Sequence, residues 1–456
     1  MAKPSRSCDR CYSIKERCQW KNNSPSCDRC TRLQHVCENR RATKQRGRKP
    51  RWPGFIAASS TSILSAQLPG LSGTELRAIK DLITSDEFLL LFSTSQEFVD
   101  SQRQVVLSLL LSDSCPAVKD AIVAAAMAWV PRLKDDDQQD GFRRASYALG
   151  TLSALDVLDE NDMLSCLVLG SFIHLFIFKA RVDDVSIICR KVLNLIKPVY
   201  EKRELVDPTN CFMLAAVLMA DISECLLRGQ APIVRYRLPA DSSYIDGYCG
   251  LWSGLLPFFH DICQLNHALL QPTDAERPDL LCTLDETERN INSWQPTVPS
   301  SFHTRFSSSE VAHMLCQAQV MRWAALLIIH RLRFPYGCAN REARVLSAAI
   351  ISQLRITSRV TNEPTKAVNM AVIAAYLEME GPEQMEALKE LRALVKCTDK
   401  FQSRVENMII SLWKAKEQGL SLYWYNIGDV LYPEQTSVTT YWDGASAWLT
   451  AATTTT

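Results

Sequence analysis

Two stretches near the start of the chain, CDRCYSIKERC at residues 8–18 and CDRCTRLQHVC at residues 27–37, repeat one cysteine spacing. In each, two residues separate the first two cysteines and six more precede the third. Zinc is usually held by four protein ligands, so two independent thiolate sites would need eight cysteines. Six thiolates complete two tetrahedral sites only if two of them bridge. The spacing therefore predicts one cluster of two Zn²⁺ ions with the ligands Cys8, Cys11, Cys18, Cys27, Cys30 and Cys37.

The whole pattern, C-x2-C-x6-C-x8-C-x2-C-x6-C, resembles the Zn2Cys6 binuclear-cluster domain of fungal transcription factors. This resemblance implies that Cys8 and Cys27 bridge the metals, that Cys11 and Cys18 complete one site, and that Cys30 and Cys37 complete the other. Pro25 stands where the family has a turn proline. We therefore expect a small cluster domain over residues 1–40, with two short helices that begin at Asp9 and Asp28, whose carboxylates could accept free backbone amides.

A disulfide module and a generic zinc knuckle are the alternatives. Disulfides need an oxidising compartment, but residues 1–7 contain no apolar stretch of the signal-peptide type. The other eleven cysteines stand mostly singly among apolar residues, as buried thiols in a reducing cell do. His35 could replace a ligand, although six cysteines in register leave it no vacancy.

Charge divides the chain into two parts. Residues 1–53 contain fifteen Lys and Arg against four Asp and Glu, a net charge of +11, whereas residues 54–456 contain 36 against 46, a net charge of −10. Two zinc ions and six ionised thiols would leave the first part near +9. Such a segment is attracted to a polyanion, so we expect double-stranded DNA as its partner.

The resemblance also suggests which side chains touch DNA. Lys15, four residues after Cys11, matches the family's base-reading lysine, which meets a CGG triplet in the major groove. A lysine ammonium donates to guanine O6 and N7. Tyr12 and Ile14 depart from the family, because basic residues are common at both positions, so the site could differ from plain CGG. Phosphate contacts are assigned to Arg10, Arg17, Lys21, Arg29 and Arg32.

Residues 41–73 read as a basic linker, which we expect to be disordered in isolation. Its basic run is typical of a nuclear-import signal. It could also extend the phosphate contacts or lie in an A/T-rich minor groove, since Arg46-Gly47-Arg48 resembles an AT-hook core, although Lys49 takes the place of the usual proline. The residues concerned are Arg46, Arg48, Lys49 and Arg51. Residues 54–80 contain Pro69-Gly70 and Gly73 and offer no sustained heptads, so a zipper homodimer is not supported.

From residue 74 to 440 the pattern indicates a single all-α domain. Ser307 and Glu310 form a capping-box signature, and a helical stripe from Val311 through Leu315 to Leu332 follows, ending at Pro335. Pro382 opens a second helix with the stripe Met385, Leu388, Leu391 and Val395. Only 16 of 456 residues are glycine, too few for a turn-rich β fold. Two domains remain possible on length alone.

This region resembles, more loosely, the helical regulatory region that follows the cluster in the same fungal factors. Residues 228–237 are similar to that family's mid-region loop, and residues 250–263 extend the likeness. The uncharged run from Met163 to Phe178 has sixteen residues, fewer than the ~20 that span a bilayer. We expect a buried core helix there and no membrane partner.

No catalytic motif accompanies these patterns. The sequence has no glycine loop of dinucleotide or P-loop type and no H-E-x-x-H, and in Gly250–Gly254 the serine is one place away from a hydrolase elbow. We therefore predict a protein that is not an enzyme. In the tail, residues 441–456, Trp442 and Trp448 either pack on the domain or contact coregulators.

Together these patterns predict a nuclear, sequence-specific transcription factor of the RNA polymerase II type that reads CGG-like sites. By the same resemblance, such architecture often regulates one pathway, commonly a secondary-metabolite gene cluster. The alternative is a zinc-dependent RNA- or protein-interaction module on a helical scaffold.

Overall fold

The computed structural model describes residues 7–20, 26–38, 68–86, 89, 92–111, 115–129, 135–180, 186–202, 208–239, 241, 243–395 and 399–433. The chain divides into two compact units, residues 1–58 and 59–456. We call the first the cluster unit and the second the helical body, and describe each by itself. The predicted linker residues Arg46, Arg48, Lys49 and Arg51, together with Lys21, Pro25 and the tail 441–456, lie outside the described residues.

The cluster unit contains two short helices, α1 (Asp9–Ser13) and α2 (Asp28–Arg32), which begin at the two aspartates as predicted. The helical body contains sixteen α-helices among its described residues. They are α3 (Gly73–Thr84), α4 (Gln96–Leu111), α5 (Pro116–Trp129), α6 (Asp135–Ala154), α7 (Glu160–Ala180), α8 (Ser186–Lys202), α9 (Pro208–Arg228), α10 (Leu256–Ala268), α11 (Arg277–Ser293), α12 (Phe302–Arg305), α13 (Ser308–Arg333), α14 (Asn340–Thr361), α15 (Asn369–Tyr376), α16 (Glu383–Leu394), α17 (Asp399–Glu417) and α18 (Ile427–Leu431).

The helical body has no β-strand within the described ranges, where only two isolated bridges, Asp246 to Gly250 and Thr365 to Val395, occur. Its helices share one continuous apolar core. The prediction of a large all-α region is therefore confirmed. Leu68 is buried in this core, six residues before the predicted domain start at residue 74. Within residues 54–80, the described part from Gly73 onward is helix α3, which turns its apolar side chains into this core.

Capping boxes fix the starts of two helices. Ser307 and Glu310 bond each other's backbone N–H groups at the start of α13, as the sequence predicts, and Ser72 and Glu75 do the same at α3. The predicted stripes are only partly correct. Leu315 is 39% exposed and Met385 is 61% exposed, because helical spacing identifies a helix more reliably than the exact edge of its buried face.

The predicted core helix over residues 163–178 is part of α7, which runs for 21 residues, ten of them buried. Helices α7 and α13 are both long and apolar enough, by length and composition alone, to cross a membrane, but most of the apolar stretch of each is buried inside the helical body. Burial, rather than shortness, is therefore the observation that identifies α7 as a core helix.

The segment that follows α9 is held by a buried carboxylate. Asp221 is fully buried; it accepts a hydrogen bond from Arg190 at 2.7 Å and another from the backbone N–H of Ile233 at 3.1 Å. Arg237 extends this anchoring through its backbone N–H, which donates to the Tyr200 hydroxyl at 2.8 Å. Residues 228–237, which resemble a family loop, thus form an ordered connection on α8 and α9.

Asp246 makes the stability of the helical body depend on pH. Burial raises the pKa of this carboxyl to about 6, although it accepts backbone N–H groups from Tyr248 and Cys249 and the hydroxyl of Tyr244. Because the folded pKa exceeds the ordinary value of 3.8, protonation favours the folded state. This stabilisation is complete below the ordinary pKa of 3.8 and is lost as the pH rises through about 6.

We expect the unfolding free energy of the wild type, relative to Asp246→Asn, to increase by up to about 3 kcal/mol as the pH falls from 7 to 4. The asparagine keeps an oxygen for the two backbone donors but cannot titrate. Urea unfolding at several pH values measures the difference. Asp241→Asn is the control, since hydrogen bonds from Ser243 lower the pKa of that exposed carboxyl. The unfolding free energy of the wild type, relative to Asp241→Asn, should therefore decrease as the pH falls. A pH-independent difference for Asp246→Asn would contradict the assignment.

Candidate metal centre

The first cysteine of each repeat caps a helix with its sulfur. The Cys8 Sγ accepts the backbone N–H of Cys11 at 3.4 Å at the start of α1, and the Cys27 Sγ accepts that of Cys30 at 3.4 Å at the start of α2. The C-x2-C spacing thus places each first sulfur against the first turn of its own helix. The amide of the third helical position therefore bonds to the cysteine sulfur that caps the helix.

The two repeats have the same backbone geometry, with each position matched by the one nineteen residues later. Lys15 and its counterpart Gln34 both adopt positive φ, at 54° and 50°. Two matched backbone hydrogen bonds join the start of each helix to a later residue: the Asp9 N–H donates to the Glu38 carbonyl and the Asp28 N–H donates to the Gln19 carbonyl, both at 2.8 Å. The third cysteine of each repeat also makes an equivalent contact. The Sγ of Cys18 accepts the backbone N–H of Cys8, and the Sγ of Cys37 accepts that of Cys27, both at 3.3 Å.

The sulfur positions fit tetrahedral zinc. A Zn–S bond of about 2.3 Å gives a tetrahedron whose edges, the sulfur–sulfur distances, are about 3.8 Å. The Sγ atoms of Cys8 and Cys27 are 3.7 Å apart, those of Cys8 and Cys30 are 3.7 Å apart, and those of Cys11 and Cys27 are 3.8 Å apart. The sulfurs of these four buried cysteines all lie within 4.8 Å of one another and could hold a metal ion.

The sulfurs of Cys8 and Cys27 each lie close to sulfurs of the opposite repeat. Each lies at tetrahedral-edge distance from the other and from a second cysteine of the opposite helix. The thiols of Cys18 and Cys37 also interact with both Cys8 and Cys27. A sulfur that bridges two metals must be near the ligands of both, and these two cysteines meet that requirement.

The six thiols differ in acidity. Burial opposes ionisation of Cys27, but hydrogen bonds from the backbone N–H of Cys30 and from neighbouring thiols lower its pKa to about 6, and the pKa of Cys8 is lowered in the same way. Burial, reinforced by the neighbouring sulfurs, raises the pKa of Cys11 to about 12 and that of Cys37 to about 11, and also raises those of Cys18 and Cys30. A divalent cation would supply the positive charge that six ionised sulfurs need.

The predicted DNA-contacting side chains of the cluster unit are mostly exposed. Lys15, Arg10, Arg17 and Arg32 are exposed. Arg29 has another partner, since its guanidinium donates to the Glu16 carboxylate at 3.0 Å and so joins the second repeat to the first. His35, the alternative metal ligand, is exposed and lies outside the sulfur cluster.

Sequence reasoning missed two features of this unit. Trp20 packs against the cysteines, and apolar side chains stand exposed beside Lys15 and Gln34, with Ile14 at 47% and Leu33 at 45% exposure. Ile14 and Leu33 are also nineteen residues apart, and each is the C-cap residue directly after its helix. Aligning the two repeats residue by residue, beyond their cysteines, would have pointed to this pair.

Comparison with known proteins concerns the helical body. The family model described as fungal specific transcription factor domain matches residues 86–436, which is most of the chain. No curated protein and no solved structure matches the chain. The match lies wholly after the cysteine repeats.

Proposed function

Because the chain belongs to the family of the fungal specific transcription factor domain, we propose that it is a nuclear transcription factor that binds double-stranded DNA through its cluster unit. The family itself makes it a fungal-type transcription regulator. The observation that best supports DNA binding is the cluster of cysteine sulfurs. Each repeat contributes three cysteines, and the distances between the sulfurs match the edges of zinc tetrahedra. It occurs in a segment with a net charge of +11.

The cluster would hold two Zn²⁺ ions. Cys11 and Cys18 would complete one site, Cys30 and Cys37 the other, and Cys8 and Cys27 would belong to both. Zinc in such a site is structural: it replaces an apolar core that a unit of this size cannot build. The protein positions the sulfurs through the two cysteine-capped helices and the two backbone hydrogen bonds from Asp9 and Asp28.

The DNA-facing surface would be the end of α1. There the positive φ of Lys15 turns the chain sharply, and its ammonium is exposed beyond the last helical turn. Lys15 would donate to guanine in a CGG-like site, while Arg10, Arg17, Lys21 and Arg32 would meet phosphates. Arg29 would contribute less than first expected, because Glu16 already neutralises its guanidinium.

The linker arginines and lysines, Arg46, Arg48, Lys49 and Arg51, would serve nuclear import and extend the phosphate contacts. The helical body would regulate or recruit coregulators, and control of a single pathway, such as a secondary-metabolite gene cluster, is the role we propose for the whole chain. Catalysis has no part in this proposal, since the family is one of transcription factors.

Selection of random duplexes by the full chain tests the function. We expect enrichment of a short motif that contains a CGG-like triplet, with affinity that falls steeply as salt rises. Parallel selections with single-stranded RNA and with duplex RNA should enrich nothing. Enrichment of RNA, or of no duplex motif at all, would favour the alternative of a zinc-dependent RNA- or protein-interaction module.

Lys15→Ala should reduce the preference for the selected site over a scrambled duplex by about 1–3 kcal/mol, since a good base contact supplies that much discrimination. Fluorescence anisotropy with both duplexes gives the specificity ratio. Gln34→Ala is the matched control, because Gln34 has the same backbone geometry in the other repeat; its ratio should be unchanged. Arg32→Ala should weaken both duplexes equally. An unchanged ratio for Lys15→Ala would remove its base-reading role.

A further inference from the structure

Beyond the proposed DNA-binding function, the helical body contains a partly open cavity of about 280 Å³ lined by helices α4, α7, α8, α9, α13 and α17 and the start of α15. An engineered cavity of about 150 Å³ holds benzene, and drug-sized ligands occupy about 300 Å³ or more. The cavity is therefore large enough for a molecule of about two fused rings.

Its wall is mainly apolar and includes several aromatic rings and thioethers. Phe172, Phe178 and Tyr248 contribute rings, and Met213, Met219 and Met321 contribute flexible side chains. Aromatic rings favour stacked or edge-on contact with another ring, and methionine adapts to irregular apolar shapes. This lining favours a flat, apolar, aromatic molecule over a sugar or a peptide.

One polar atom on this wall is buried without a partner. The Ser171 hydroxyl, on α7, has no hydrogen-bond partner although its oxygen is buried. The helical Ser153, by contrast, bonds a carbonyl of its own helix, that of Leu149, at 2.8 Å. A buried hydroxyl without a partner is costly, and an oxygen on a bound molecule would supply the missing partner. The neighbouring Cys189 thiol is already paired, at 3.1 Å from the Nδ1 of His174.

The charged side chains at one end of the cavity disfavour a ligand with a protonated amine. Glu224 lines the cavity, and its two carboxylate oxygens are occupied by Arg228 at 2.7 Å and by Arg404 at 3.3 Å. Two guanidinium groups share one carboxylate, so this end carries an excess of positive charge. An oxygen acceptor or a weak acid is favoured there, and a cation is not.

We propose that this cavity binds a small aromatic molecule with a hydroxyl or carbonyl oxygen, of the class of phenols and aromatic ketones, and that the Ser171 hydroxyl bonds this oxygen. Such a ligand would hold α7, α9 and α17 together and would stabilise the helical body by binding only its folded state. The cavity thereby gives the regulator a chemical input separate from its DNA-binding unit.

Binding of 1-naphthol and of naphthalene to the full chain tests the proposal, by calorimetry and by the shift in the midpoint of thermal unfolding. We expect one 1-naphthol per chain, tighter binding of 1-naphthol than of naphthalene, and a raised midpoint. Ser171→Ala should weaken 1-naphthol about fivefold, the value of one hydrogen bond, and leave naphthalene unchanged. Ser153→Ala, which removes a hydroxyl outside the cavity, should change neither.

Two further variants fill the cavity. Ala216→Leu and Ala220→Leu on α9 should each weaken both probes at least tenfold, and circular dichroism should confirm that the variants keep their helical content. Absence of 1-naphthol binding, an equal effect of Ser171→Ala on both probes, or binding that both leucine variants leave intact would each overturn the proposal. DNA binding by the same samples is measured separately, so failure here is distinct from failure of the proposed function.

Discussion

Cys27→Ala should release both zinc ions from the full chain, whereas Cys37→Ala should chiefly loosen one. Cys27 contacts sulfurs of the other repeat, at 3.7 Å from Cys8 and 3.8 Å from Cys11, and would belong to both zinc sites, whereas Cys37 would complete only one of them. Native mass spectrometry of the wild type should count two zinc ions per chain. Zinc supplies about 10–16 kcal/mol of folding free energy in small zinc domains, so chelation should unfold the cluster unit and abolish DNA binding.

Cys282→Ala is the control for loss of a thiol, since Cys282 is an exposed cysteine of the helical body. It should keep two zinc ions and full DNA binding. Cys8→Ala, the counterpart of Cys27→Ala in the other repeat, should match it closely. A wild-type count of one zinc per chain, or a cluster unit that stays folded without metal, would disprove the shared-thiolate cluster.

The cysteine spacing predicts a ligand set because metal chemistry restricts such spacing strongly, and four of the six predicted ligands, Cys8, Cys11, Cys27 and Cys30, lie close enough together to hold a metal ion. The spacing could not predict the contact between Glu16 and Arg29, which depends on how the two repeats meet in space. Likewise, the positive φ of Lys15 and Gln34 has no sequence signal, since neither residue is glycine or asparagine. The distances between the sulfurs therefore needed the structure, whereas the choice of candidate cysteines did not.

In the helical body, local signals predicted helix ends better than buried faces. The capping box at Ser307 and the stop before Pro335 bound α13 correctly, because both act within one turn of backbone. The exposure of Leu315 and Met385 depends on which neighbouring helices cover each side, which periodicity does not encode. The cavity beside Ser171 is a tertiary feature of the same kind, formed by helices far apart in sequence.

The burial of Arg331 is the clearest feature that the sequence does not predict, since a charged side chain near a helix end is normally expected at the surface. It is fully buried at the end of α13, and its guanidinium binds both carboxylate oxygens of Glu378, with the Nε to Oε1 distance at 2.6 Å. It also donates to the Pro335 and Cys338 carbonyls at 2.9 and 2.7 Å. One side chain thus fixes the turn that follows α13 and the segment that follows α15.

Glu378→Ala should therefore destabilise the helical body by about 3–5 kcal/mol, because it leaves a buried guanidinium without its counter-charge. Urea unfolding of the full chain, followed by helical circular dichroism, measures the loss. Glu380→Ala, two residues further on, is the matched control: it removes an ion pair with Arg344 whose side chains are 55% and 51% exposed, for Arg344 and Glu380. That change should cost no more than about 1 kcal/mol.

The double variant Arg331→Met with Glu378→Leu separates loss of charge pairing from loss of packing. An apolar pair of similar volume removes both buried charges at once, so it should recover most of the stability that Glu378→Ala loses. The carbonyls of Pro335 and Cys338 would then lose their donor, which limits the recovery. If Glu378→Ala costs no more than Glu380→Ala, the guanidinium must find water, and the turn after α13 must open to admit it.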